Sequence, residues 1–192
     1  MSVLLGIKED KQIILGGDRR ESNAYNEYIS DDLQKLVPIN SQLCLATAEN
    51  EAIGMAILMS VNDSGISNTM NVDELVNIIN DFYNKVPDSP INRLPFSCLI
   101  GGCDSNGIPC LMSGSVTNGV FSIQSVPIIL HHPADMELHS CSIILAKNYK
   151  YNHNKFVEET IKEISEISKV VSPTGDKWVF DIESQTGKLY SF

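Results

Sequence analysis

Residues 2–35, SVLLGIKEDKQIILGGDRRESNAYNEYISDDLQK, decide the reading of the chain. Two apolar runs, Val3 to Ile7 and Gln12 to Leu15, flank the polar stretch Lys8-Glu9-Asp10-Lys11. That pattern predicts a β-hairpin with a short polar turn. The second run leads into Gly16-Gly17-Asp18-Arg19-Arg20, read as a permissive turn carrying both charge signs. Lys35 stands just before the next apolar run. Removal of Met1 would leave Ser2 with a hydroxyl and an α-amine on one residue. A free α-amine titrates near about 8, so part of it is neutral base at cellular pH. Such an amine can take the proton of its own hydroxyl.

Composition narrows the classes. A chain of 192 residues with 43% hydrophobic residues suits one domain with a sizeable core. The net charge of −10 argues against nucleic acid and anionic membranes as partners. No apolar run approaches the roughly 18 residues of a membrane span, and no signal peptide is visible. The expected compartment is the cytoplasm. Five cysteines, Cys44, Cys98, Cys103, Cys110 and Cys141, are expected as reduced thiols. Cys98, Cys103 and Cys110 lack zinc-site spacing. His131-His132-Pro133, with Asp135 and Glu137 nearby, reads as a loop feature rather than a ligand set. No phosphate loop is present. Neither metal nor organic cofactor is expected.

Further along, Leu36 to Ile39 and Leu43 to Ala48 read as strands around Asn40-Ser41-Gln42. Asn50 is placed as the cap of a helix over Glu51 to Val61, apolar on most faces and so expected to meet other helices or another subunit. Asn71 is placed as the cap of a second helix from Val72 to about Lys85, with Pro87, Pro90 and Pro95 at its exit. Phe96 to Gly101 and Ile108 to Met112 form a hairpin around Asp104-Ser105-Asn106-Gly107, with Val120 to Ile123 as a third strand. Between Ser125 and Asn154 the pattern is weak, with a helical stretch from Asp135 to Lys147. Asn154 is expected to cap a last helix, Lys155 to Val170, ended by Ser172-Pro173-Thr174-Gly175. Trp178 to Ile182 closes a sheet, with Leu189 and Tyr190 in a further strand. Hairpins between helices long enough to cover a sheet point to an α+β fold with mostly antiparallel sheets.

Several of these residues also carry a resemblance. Ser2-x-x-x-Gly6, Gly17-Asp18-Arg19-Arg20, Tyr28-Ile29-Ser30-Asp31-Asp32, Gln34-Lys35-Leu36 and Leu45-Ala46-Thr47-Ala48 resemble the start of a proteasome core β-subunit, and the bacterial HslV peptidase is similar here. The likeness is dense only in residues 2–48. It implies one domain over residues 1–192 with the four-layer αββα sandwich of N-terminal nucleophile hydrolases. It implies a serine- or threonine-type endopeptidase in a ring or other homo-oligomer, acting on peptide or protein substrates, with or without an ATPase partner. Ser2 takes the nucleophile's position, Asp18 and Lys35 those of the flanking carboxylate and ammonium, and Arg20 a supporting basic position. Ala48 and Glu49 fall at the oxyanion region. There the family carries a glycine. The family's Gly-Ser-Gly turn has no counterpart between about Ser125 and Asp135, and its Asp and Ser after the last helix align with Val171 and Thr174. These departures favour an alternative, a catalytically silent interaction subunit; a small-molecule amidase on the same scaffold is a further one, since a monomer or dimer would not enclose a proteolytic chamber.

Overall fold

A computed structural model describes residues 2–22, 27–84 and 94–192. The fold is α+β, and among the described residues every strand pairing is antiparallel. Strands β1 (Leu4–Lys8) and β2 (Gln12–Asp18) form the expected hairpin, with Gly6 opposite Leu15. A short ribbon follows, β3 (Glu21–Ser22) and β4 (Tyr28–Ser30). Strands β5 (Leu36–Asn40) and β6 (Leu43–Ala48) lead into helices α1 (Glu51–Asp63) and α2 (Val72–Asn84). Then come β7 (Ser97–Cys103), β8 (Pro109–Thr117), β9 (Val120–Ser125) and β10 (Ile128–His131). Helices α3 (Leu138–Tyr151) and α4 (Phe156–Ser165) precede β11 (Gly175–Asp181) and β12 (Thr186–Ser191). One sheet has the order β10-β1-β2-β11-β12, the other β5-β6-β7-β8-β9.

Strand alternation explains how these sheets are packed. Leu4, Ile13, Leu15 and Trp178 of the first sheet share a buried cluster with Leu36, Cys44, Ala46, Leu99 and Leu111 of the second. The alternate residues Val3, Leu5, Ile7 and Ile14 pack instead with Cys141, Ile144 and Leu145 of α3 and with Phe156, Val157, Ile161 and Ile164 of α4. On the second sheet, Leu43, Leu45, Cys98 and Ile100 cluster with Ile53, Ile57 and Val61 of α1 and Leu75 and Ile79 of α2. Burying one such side chain contributes about 1.5–3 kcal/mol.

Both asparagine caps are present. The Asn50 side chain accepts a bond from the Ile53 N–H. Asn71 and Glu74 make a reciprocal capping box, the Glu74 N–H to Asn71 Oδ1 at 3.1 Å and the Asn71 N–H to Glu74 Oε2 at 2.9 Å. Three expectations need correction. Gly16, Gly17 and Asp18 are not a turn but the end of β2. A Cβ on Gly17 would sit 2.8 Å from Leu36 Cδ1, and one on Gly16 would collide with Val157. These glycines admit close packing on both faces of the strand rather than a reversal. Asn154 does not cap the last helix. It lies in a 3-10 turn, His153–Lys155, and α4 starts at Phe156 with Lys155 in the uncapped boundary position. The helix also stops at Ser165 rather than Val170. Ser168 and Lys169 are held instead by the Asp135 carboxylate. The expected end of α2 at Lys85 and the prolines Pro87 and Pro90 lie outside the described residues.

Candidate active site

Asp18 sits at the end of β2 with no solvent exposure. A buried carboxylate needs donors, and this one has four. Its Oδ1 accepts from the Val3 N–H and from Lys35 Nζ, both at 2.9 Å. Its Oδ2 accepts from the Arg20 N–H at 2.9 Å and the Ser172 N–H at 3.2 Å. Asp18 thus ties the residue after Ser2, the turn after β2, the segment before β5 and the approach to β11 to one point. Its own N–H returns to the Val3 carbonyl at 3.3 Å.

Lys35 is buried, and its carbonyl accepts from the Thr47 N–H at 3.0 Å. Burial lowers its pKa from the ordinary lysine value, against the opposing pull of the Asp18 charge and hydrogen bond. Ser2 is 8% exposed, and its hydroxyl has no hydrogen-bond partner among the described residues.

A second tier of charge lies behind this pair. Arg20 grips Asp31 through two bonds, Nε to Oδ1 at 2.8 Å and Nη2 to Oδ2 at 3.0 Å. That guanidinium contact holds the Asp31 carboxyl below its usual range. Arg20 also donates to the Lys169 carbonyl at 2.9 Å. The Ser172 and Thr174 hydroxyls share a 2.8 Å hydrogen bond, and the Thr174 N–H donates to Ser172 Oγ.

Two clefts meet at Ser2, Ala48 and Glu49. The larger, about 610 Å³, is also lined by Lys35, Arg20, Val37, Met55 and Leu58. The smaller, about 400 Å³, runs past Ser97, Leu130, His131 and His132. Glu49 lies at the junction with φ of 77°, the left-handed region that glycine enters most readily. The Asn50 N–H closes back on the Ala48 carbonyl at 3.1 Å across it, a tight γ-turn. Ser97 Oγ donates to Glu49 Oε2 at 3.0 Å.

The residues named from sequence therefore divide. Ser2, Asp18, Lys35, Arg20, Ala48 and Glu49 surround one place. Thr174 stands behind it, its hydroxyl bonded to Ser172 and its carbonyl accepting from the Arg19 N–H at 3.2 Å. Val171 is buried in the apolar cluster with α3 and α4 and brings no charge. His131 meets Ser113 Oγ at 3.3 Å, its pKa lowered by burial and then by His132. His153 lies elsewhere, 3.6 Å from Glu9. Among the described residues no group of three or more His, Cys, Asp or Glu is arranged to hold a metal ion. None of the helices described is long and apolar enough to cross a membrane. Sequence reasoning missed Ser172, whose backbone is the fourth donor to Asp18, and Ser97, which holds Glu49. It also gave Asp31 no role, although Arg20 and Asp31 are opposite charges flanking one short ribbon. No family model matches this chain, and no curated protein matches it.

Proposed function

We propose that this chain is an N-terminal nucleophile hydrolase of the proteasome-subunit type, cleaving amide bonds. The observation that carries the reading is Asp18 Oδ1, which accepts from both the Val3 N–H and Lys35 Nζ, with the neighbouring Ser2 only 8% exposed and its hydroxyl unpartnered among the described residues. The three buried clusters support a four-layer αββα sandwich, helices α3 and α4 outside one sheet and α1 and α2 outside the other.

With Met1 removed, Ser2 Oγ attacks the substrate carbonyl and the Ser2 α-amine takes its proton. The protonated amine then gives that proton to the leaving amine as the C–N bond breaks, leaving an acyl ester on Ser2. Water adds to the ester, its proton passing to the same amine, and the acid departs as the hydroxyl is restored. The Lys35 ammonium lowers the proton affinity of the hydroxyl and amine, and Asp18 holds Lys35 in place. The Glu49 backbone N–H, at the Ala48–Asn50 turn, is the candidate donor to the oxyanion. No metal or cofactor enters. The expected setting is the cytoplasm, in a homo-oligomer. Met55 and Met59 of α1, both more than half exposed, supply apolar surface for such contacts. Sedimentation should show a species larger than one chain, and a monomer alone would contradict the assembly.

A second reading has its own observation. The apolar Val171, and a carboxylate at Glu49 where an oxyanion would form, favour a subunit that keeps the scaffold without the chemistry. Intact mass before and after treatment with a β-lactone separates the two. The hydrolase loses Met1 and gains one acyl group, and Ser2→Ala gains none. A silent subunit gains none even with Met1 removed.

A further inference from the structure

We infer that the 610 Å³ cleft beside Ser2 takes a substrate side chain with an apolar stem and a cationic head, of the lysine or arginine kind. This choice of substrate rests on the hydrolase reading. The charge inventory of the cleft carries it. Two cations line the cleft among the described residues, and both are engaged, Lys35 by Asp18 at 2.9 Å and Arg20 by Asp31 at 2.8 Å. Three carboxylates line it as well, Glu21, Glu49 and Glu51, more than the single α-amine of a Ser2 freed of Met1 would balance. None of the three has a cationic partner among the described residues. Glu21 accepts from Ser30 Oγ at 3.2 Å and Glu49 from Ser97 Oγ at 3.0 Å, neutral donors that leave each charge in place. The cleft is also lined by the apolar side chains of Leu33, Val37, Met55 and Leu58.

A second, independent feature points to a ligand. Ser2 as a residue is only 8% exposed, and its hydroxyl, without a hydrogen-bond partner among the described residues, lines the same cleft. A carbonyl held at Ser2 would leave its flanking side chain in the cleft. Carboxylates with no cationic partner among the described residues, beside apolar walls, select a long-stemmed cation, whose methylenes cover the walls while its head meets the carboxylates. An acidic side chain would meet like charge there, and a purely aliphatic one would leave the carboxylates uncompensated.

The test uses the full-length Ser2→Ala protein, which binds without turnover. Three dye-labelled peptides differ at one position, Arg, norleucine or Glu, and are titrated by fluorescence anisotropy. The Arg peptide should bind about tenfold tighter than norleucine, and Glu weakest, as expected for several partly screened charge contacts acting together. Raising the salt to about 1 M should shrink the Arg advantage. Glu51→Gln, added to the same background, should narrow the Arg-to-norleucine ratio. Equal binding of Arg and norleucine, or a preference for either other peptide, overturns the inference. Turnover of the Arg amide by the wild-type protein is read separately. Arg-selective binding without turnover refutes the hydrolase reading while the cationic cleft stands, and turnover with no Arg preference does the reverse.

Discussion

Two carboxylates flank Ser2, and they are held in opposite ways. Asp18 is wholly buried and saturated by four donors from four segments of the chain. Glu49 is exposed, has a single donor in Ser97 Oγ, and sits on a backbone at φ 77°. A buried charge lasts only where the fold has built its partners around it, so Asp18 is part of the architecture. An exposed charge with water at hand needs no such shell. Glu49 is therefore free to shape the cleft without holding the protein together.

The sharpest way to break the comparison is to remove each carboxylate. Asp18→Ala leaves the Lys35 ammonium buried and unpaired, and should cost about 3–5 kcal/mol in denaturant unfolding. A loss under about 1 kcal/mol would mean that the buried pair is not formed. Lys35→Met should cost less, about 1–3 kcal/mol, because Asp18 keeps its three backbone donors. If Lys35→Met proves the costlier variant, the hierarchy is wrong.

Asp31 tests the second tier. Its folded pKa is lowered, chiefly by Arg20. The unfolded state therefore binds the proton more tightly. The pair's stabilisation is full above the ordinary aspartate value, near about 4, and is lost as pH falls through the lower folded value. Asp31→Asn should lower the Tm at pH 7 by a few degrees and flatten the decline of Tm with acid below pH about 4. An unchanged acid profile would remove this pair from the account. Glu49→Gly should do least. Glycine relieves the left-handed backbone but gives up the Ser97 contact, so stability should stay within about 1 kcal/mol of wild type or rise slightly. A large loss would place Glu49 in the architecture beside Asp18.

The same contrast shows which parts of the fold could be read from sequence. The β1–β2 hairpin and the caps at Asn50 and Asn71 are local, and their signals lie within a few residues. Asp18 and Lys35 were legible only through the register of the resemblance. Their ion pair spans 17 residues and no periodicity announces it. Ser172 was not legible because it serves Asp18 through its backbone N–H, which any residue but proline possesses. Gly16 and Gly17 were misread because glycine marks both turns and close packing. The closest contacts, Val157 and Leu36, are distant in sequence and distinguish the two cases here. The β10 strand was hard to see for a like reason. It is four residues long and takes its place at the sheet edge by pairing with β1, far away in the chain.

The central claim is that Ser2 becomes a nucleophile with its own amine as base, tuned by the buried Lys35–Asp18 pair. The most direct measurement is the intact mass of the purified protein after incubation with a peptide epoxyketone, which needs the hydroxyl and the free α-amine of one residue to close its ring. The rate of adduct formation is followed across pH. The account predicts a wild-type chain lacking Met1, a single adduct, none on Ser2→Ala, and a severely slowed reaction on Lys35→Ala. The wild-type rate should fall in alkali below the ordinary lysine pKa, because burial makes Lys35 lose its proton sooner. A chain that lacks Met1 yet takes no adduct, or an adduct that persists on Ser2→Ala, would contradict it.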